Sequence, residues 1–221
     1  ISARKTNEVM ATADRLSALG PCTGIVADLA DQAGIETIAA AIEAETDGLD
    51  VLVNNAGAVW AERFEAFTPD AWDKVMTVNL KSAFFLTQRL YPLLLSAAAG
   101  EGKRSARVIN VGSIDGLHVP PLETYPYSAS KAGMHHMTRT LAARFAADNI
   151  RVNCIAPGPF ESRMMAATLA TMGDAIRAAN PLKRIGTPED VAGTAIFLAA
   201  RASDYITGAV IPVDGGTSTT L

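Results

Sequence analysis

Short runs of aliphatic and β-branched residues recur along the chain, separated by longer stretches in which apolar positions return every three or four residues. The runs at 22–27, 50–54, 107–112, 150–156 and 209–213 are dense in Val, Ile and Leu. Strands covered on both faces carry this pattern. The stretches between them, at about 6–19, 31–46, 69–98, 127–148 and 188–201, read as helices. Thr68-Pro69 and Thr187-Pro188 each place a capping hydroxyl ahead of a first-turn proline, and Asp190 adds a capping-box pattern to the second. Strand–helix alternation of this length predicts right-handed βαβ units and a doubly wound, Rossmann-like parallel sheet of the α/β class. No internal repeat or linker breaks the chain, so 1–221 reads as one domain.

Ligands in such sheets sit beyond the carboxyl ends of the strands. The residues there are Asp28, Asn54-Asn55-Ala56-Gly57, Ser113 and Pro157-Gly158, all small, polar or backbone-shaping. Turns favour the same residue types, so none of them identifies a site alone. Tyr127 and Lys131 are more informative, because four residues apart on a helix they share one face. Tyr125 has Ala129 at the same spacing and therefore no lysine partner.

Composition narrows the function classes. With 49% hydrophobic and 19% charged residues and a formal net charge of −4, the chain can build a large core and presents no basic surface for nucleic acid or anionic membrane. No apolar run reaches the roughly 18 residues that a membrane span needs. Cys22 and Cys154 each lie in an apolar run, which reads as two buried free thiols in a reducing, cytoplasmic setting. His118, His135 and His136 have no Cys or acidic partner at ligand spacing, so no metal site is expected and they read as solvated or interface residues.

The ordered set Asn54-Asn55-Ala56-Gly57, Asn79 within Val78-Asn79-Leu80, Ser113, Tyr127-Ser128-Ala129-Ser130-Lys131, Pro157-Gly158 and Asp214-Gly215-Gly216 resembles the short-chain dehydrogenase/reductase family over essentially the whole chain. The chemistry fits the resemblance. Hydride reduction of a ketone leaves an alkoxide that needs a proton, and a phenol serves as acid/base if its pKa, normally about 10, falls toward the working pH. A lysine ammonium one turn away favours the phenolate. The resemblance implies Tyr127 as the acid/base, Lys131 as the group that tunes it and binds the nicotinamide ribose, Ser113 on the substrate oxygen, and Asn79 anchoring a water in a proton relay. Asn is a poor helix former, so a local distortion is expected around Asn79.

The resemblance further implies cofactor contacts from Asp28 and Leu29 at the adenine, Asn55, Ala56 and Gly57 along the ribose, and Pro157 and Gly158 beside the nicotinamide. Ser162 stands where the family usually has a threonine. The first residues resemble the end of the strand that meets the adenosine ribose. They offer Arg4 and Lys5, with no carboxylate before Glu8, which implies a 2′-phosphate and hence NADP(H). The family's glycine-rich turn and the strand before it would precede Ile1, so a longer natural chain is expected.

The segment at about 159–186 corresponds to the family's substrate lid. Its Met and Leu residues suit an acyl chain, while packing of an amphipathic helix on the body explains them equally well. The segments at 107–113 and 155–164 most resemble the 3-oxoacyl-thioester reductases. The expectation is an NADPH-dependent reductase of a small-molecule ketone or acyl thioester, assembled as a homodimer or homotetramer through the 69–98 and 127–148 helices. An NADP-linked alcohol, sugar or steroid dehydrogenase and a non-catalytic dinucleotide sensor are the alternatives.

Overall fold

The computed structural model describes residues 1–99 and 104–220. In chain order the elements are β1 (Ser2–Ala3), α1 (Thr6–Ser17), β2 (Ile25–Val26), α2 (Gln32–Glu43), β3 (Val51–Asn54), α3 (Pro69–Met76), α4 (Ser82–Ala98), β4 (Ala106–Val111), α5 (Tyr125–Phe145), β5 (Ile150–Pro157), α6 (Ala166–Ala179), α7 (Pro188–Ala199), β6 (Val210–Val213) and α8 (Thr217–Thr220). All strand pairs are parallel, in the orders β1-β2 and β3-β4-β5-β6. The expected doubly wound α/β architecture is the one the chain adopts.

Central strands β4 and β5 are buried on both faces, which is why their sequences are continuous apolar runs rather than alternating ones. On one face Val108 and Val152 pack with Leu90 and Leu94 of α4, Ile38 of α2 and Phe145 of α5. On the other, Ile109 and Ile155 pack with Leu198 of α7. Each fully buried Leu or Ile contributes about 1.5–3 kcal/mol. The capping box is present, with the Thr187 N–H donating to Asp190 Oδ2 at 2.8 Å.

The structure departs from the sequence expectation in three places. β2 spans two residues instead of six, pairing with β1 through Ser2 to Ile25 and Ala3 to Val26. No strand of the described residues lies between β1 and β3, where a groove of about 310 Å³ is lined by Ile1, Ser2, Leu29, Val53, Asn55 and Ala56, among others. The 69–98 stretch divides into α3, a π-helical turn at Thr77–Lys81 and α4, so the distortion expected at Asn79 is present. Finally α5 starts two residues early, with Pro126 in its first turn, and ends at Phe145. A 3₁₀ turn follows, and Asn149 reverses the chain in the left-handed region at φ 57°.

After β5 the chain makes an excursion whose two ends meet. Phe160 bridges Gly186, and the Gly186 N–H donates to the Pro159 carbonyl at 3.0 Å. A Cβ at Gly186 would lie 2.5 Å from the Phe160 ring, so this closure requires glycine. No residue of α6, inside the excursion, is buried.

His135 corrects the expectation of a solvated histidine. Its ring is 2% exposed, and it fills the space left by two glycines on either side of Ser113. Side-chain carbons there would approach it to 2.3 Å at Gly112 and 2.8 Å at Gly116. Neither ring nitrogen finds an aligned partner. Burial accordingly lowers its pKa to about 4 from the ordinary value of 6.5. The unfolded chain therefore takes up the proton first as pH falls. Stability is full above about 6.5, declines between there and about 4, and is flat below. The loss is at most about 3 kcal/mol. His135→Leu should flatten this acid limb in urea titrations at successive pH values.

Candidate active site

The site is assembled where β4 hands the chain to α5. Ser113 follows β4 and caps a 3₁₀ turn at Ile114–Gly116, accepting from the Asp115 N–H at 3.2 Å. That turn lies directly on α5, since a Cβ at Gly116 would sit 2.7 Å from backbone atoms of both Lys131 and Ala132. The contact brings the Ser113 hydroxyl near enough to the Tyr127 phenol to pull its pKa down. Lys131 Nζ stands 5.5 Å from the centroid of the Tyr127 ring and donates to the Val111 carbonyl at 2.8 Å.

The electrostatics correct the sequence expectation of an acidified phenol. The Tyr127 pKa is raised, chiefly by burial; the Ser113 hydrogen bond pulls it down and the Asp115 charge pushes it up. Lys131 is lowered to about 8 by burial of its ammonium. The two groups are together as expected, but these side chains alone leave the phenol protonated through the neutral range.

Asn79 is 1% exposed in the π-helical turn. Its Oδ1 accepts from the Ala58 N–H at 2.7 Å, and Nδ2 donates to the Ala58 carbonyl and to Ser130 Oγ, each at 2.9 Å. Ser130 Oγ donates in turn to the Tyr127 carbonyl at 2.7 Å. The amide thus ties the segment after β3 to the first turn of α5, leaving one oxygen lone pair for a water. Ser130 gains this linking role only from the structure, and its spacing, three after Tyr127, is the sequence signal for it.

The residues expected at the cofactor divide into two groups. Leu29, Asn55 and Ala56 line the groove between β1 and β3. Gly57 joins that groove to the reacting groups, its missing Cβ lying 3.9 Å from Lys131 Nζ. Gly158 packs on Asp214, where a Cβ would come within 2.6 Å, and its N–H donates to the Val213 carbonyl after Pro157 ends β5. Farther out, Arg4 is 3.9 Å from Asp28, Lys5 Nζ is 2.9 Å from Glu8, and Asp28 caps the Ala30 N–H at 2.9 Å. Ser162 Oγ accepts from the Met165 N–H at 3.3 Å, a local turn bond. The exposed cations at Arg4 and Lys5 and the close backbone at Gly57 fit a phosphorylated dinucleotide. No cluster of three or more His, Cys, Asp or Glu among the described residues is arranged to hold a metal.

Residues 1–218 match the family described as Enoyl-(Acyl carrier protein) reductase. The rhamnolipids biosynthesis 3-oxoacyl-[acyl-carrier-protein] reductase of Pseudomonas aeruginosa is 43% identical over 218 residues, 98% of this chain and 84% of that one. The 2-dehydro-3-deoxy-D-gluconate 5-dehydrogenase of Escherichia coli is 37% identical over 93% of this chain and 80% of its own length. Among solved structures, the Pseudomonas aeruginosa RhlG/NADP active-site complex superposes with a TM-score of 0.93 at 42% identity, covering 99% of this chain and 85% of that one. With these matches and the Ser113–Tyr127–Lys131 arrangement, the chain belongs to the short-chain dehydrogenase/reductase family.

Proposed function

We propose that the chain is an NADPH-dependent carbonyl reductase acting on 3-oxoacyl thioesters to give the 3-hydroxy product. The observation that carries this reading is the convergence of two hydroxyls, Ser113 and Tyr127, beside a buried ammonium. Two donors on one substrate oxygen stabilise the charge that develops there as the carbonyl is reduced. The similarity to the rhamnolipid-pathway reductase supports the thioester, and the similarity to an NADP complex supports the cofactor.

When bound, NADPH supplies the hydride. Ser113 holds the substrate oxygen, and Tyr127 gives it the phenolic proton. Raised by burial, Tyr127 is fully protonated at neutral pH and ready to donate in the reductive direction. Lys131 stabilises the phenolate left behind, and Asn79 keeps the first turn of α5 in place. Arg4 and Lys5 would hold the 2′-phosphate, with Asp28, Leu29, Asn55, Ala56, Gly57, Pro157, Gly158 and Ser162 along the rest of the dinucleotide. The excursion at 159–186 would act as the substrate lid on a single domain. Trp72 and Phe84 are exposed on α3 and α4, which fits pairing with a second copy in a dimer or tetramer. The free thiols Cys22 and Cys154 fit a cytoplasmic setting.

A panel of acetoacetyl-CoA, simple ketones, a keto acid and an enoyl thioester, followed at the nicotinamide absorbance, tests the function; turnover confined to the enoyl thioester would reject it. Tyr127→Phe should lower kcat by about 10²–10⁴-fold while NADPH binding, read by fluorescence, persists. Arg4→Ala should weaken NADPH by about tenfold or more and leave NADH unchanged, and equal losses would remove the 2′-phosphate assignment. Because the Lys131 ammonium loses its proton as pH rises through about 8, reductive kcat/KM should hold level below that value and decline above it.

A further inference from the structure

The Glu8 carboxylate joins two parts of the chain that lie far apart in sequence. One of its oxygens, Oε1, accepts from Lys5 Nζ at the start of α1 and from Arg163 Nη1 at the start of the excursion after β5, each at 2.9 Å. The two exposed cations therefore flank a single oxygen atom, in the position that a phosphate oxygen would take between them. Arg4, next to Lys5 in the chain, faces Asp28 at 3.9 Å. Three cations thus meet two carboxylates, and the cluster keeps a positive excess. Arg163 foremost, and Lys5 after it, hold the Glu8 carboxyl down at about 2, so it is ionised throughout the neutral range. Exposed ion pairs of this kind contribute little, because solvent screens them and long side chains lose freedom in making them. A phosphomonoester brings up to about two negative charges and three acceptor oxygens, and it competes well with one carboxylate for such cations.

We propose that Arg163 is a further cofactor-binding residue, which exchanges Glu8 for the 2′-phosphate of NADPH and completes, with Arg4 and Lys5, a phosphate site shared between α1 and the excursion. This rests on the NADPH reading above. Glu8 is then the group that the phosphate displaces. A nucleotide with a 2′-phosphate fastens the start of the excursion to α1, and one without it does not.

Adenosine 2′,5′-bisphosphate and adenosine 5′-monophosphate differ only in that phosphate and undergo no reaction. The measured quantity is the ratio of their dissociation constants, monophosphate over bisphosphate, by calorimetry. In the wild type this ratio should be well above one. Arg163→Ala should lower it about tenfold. Glu8→Gln should raise it several-fold, because the competing carboxylate is gone while both cations remain. A pair that merely braced the excursion would not give opposite effects in the two variants. The bisphosphate should also slow tryptic cleavage between Arg163 and Met164, and the monophosphate should leave it unchanged. With a wild type that favours the bisphosphate, this inference alone is overturned by a ratio that does not fall in Arg163→Ala, by one that does not rise in Glu8→Gln, or by equal cleavage with both ligands. A wild type indifferent to the 2′-phosphate overturns the NADPH reading and this one with it.

Discussion

Where Gly116 meets α5 there is room for no side-chain carbon at all, and the geometry of the reacting groups follows from that contact. The turn after β4 rests on the helix backbone at Lys131 and Ala132. Ser113 therefore reaches the Tyr127 phenol, and Lys131 lies against the same ring. Tyr127 and Lys131 share one face of α5 at i,i+4 spacing, and the packing of the turn against that helix sets how far Ser113 lies from them. His135 supports the arrangement from below, its ring occupying the volume that glycine leaves on each side of Ser113.

A second layer of polar groups holds this unit to the sheet. Asn54 at the end of β3 donates to Thr87 of α4 at 3.0 Å and to Asn110 of β4 at 2.9 Å, and Asn110 donates to Thr138 of α5 at 2.9 Å. All four side chains are buried, so losing any one partner would strand the others at about 1–3 kcal/mol each. Asn79 makes the parallel connection from the π-helical turn to Ala58 and Ser130. The helix gives up regular pitch there, and the amide joins the loop after β3 to α5, which no backbone ladder could join.

Much of the site was legible because it rests on two short periodicities. Strand ends placed Ser113 and Gly158 at one edge of the sheet, and i,i+4 spacing placed Tyr127 and Lys131 on one face of α5. The irregular turn at Asn79 was also legible, through a residue that helices disfavour. What escaped was set by contacts distant in sequence. His135 looked like a surface histidine because the glycines that enclose it belong to another element. The phenol looked acidic because spacing reveals a neighbouring charge but not burial, which is the largest influence on its pKa.

The closure at Phe160 and Gly186 separates two kinds of constraint on this sequence. Once those residues touch, α6 can lengthen, shorten or change composition without disturbing the sheet, because none of its residues is buried, while Asn180 and Ile185 beyond it are buried and Asn180 holds the Asp214 carbonyl. Doubling such a loop costs only about 0.6 kcal/mol in closure entropy. Evolution can therefore rewrite this excursion while the sheet and α5 stay fixed, which allows one scaffold to vary its surface without relearning how to fold.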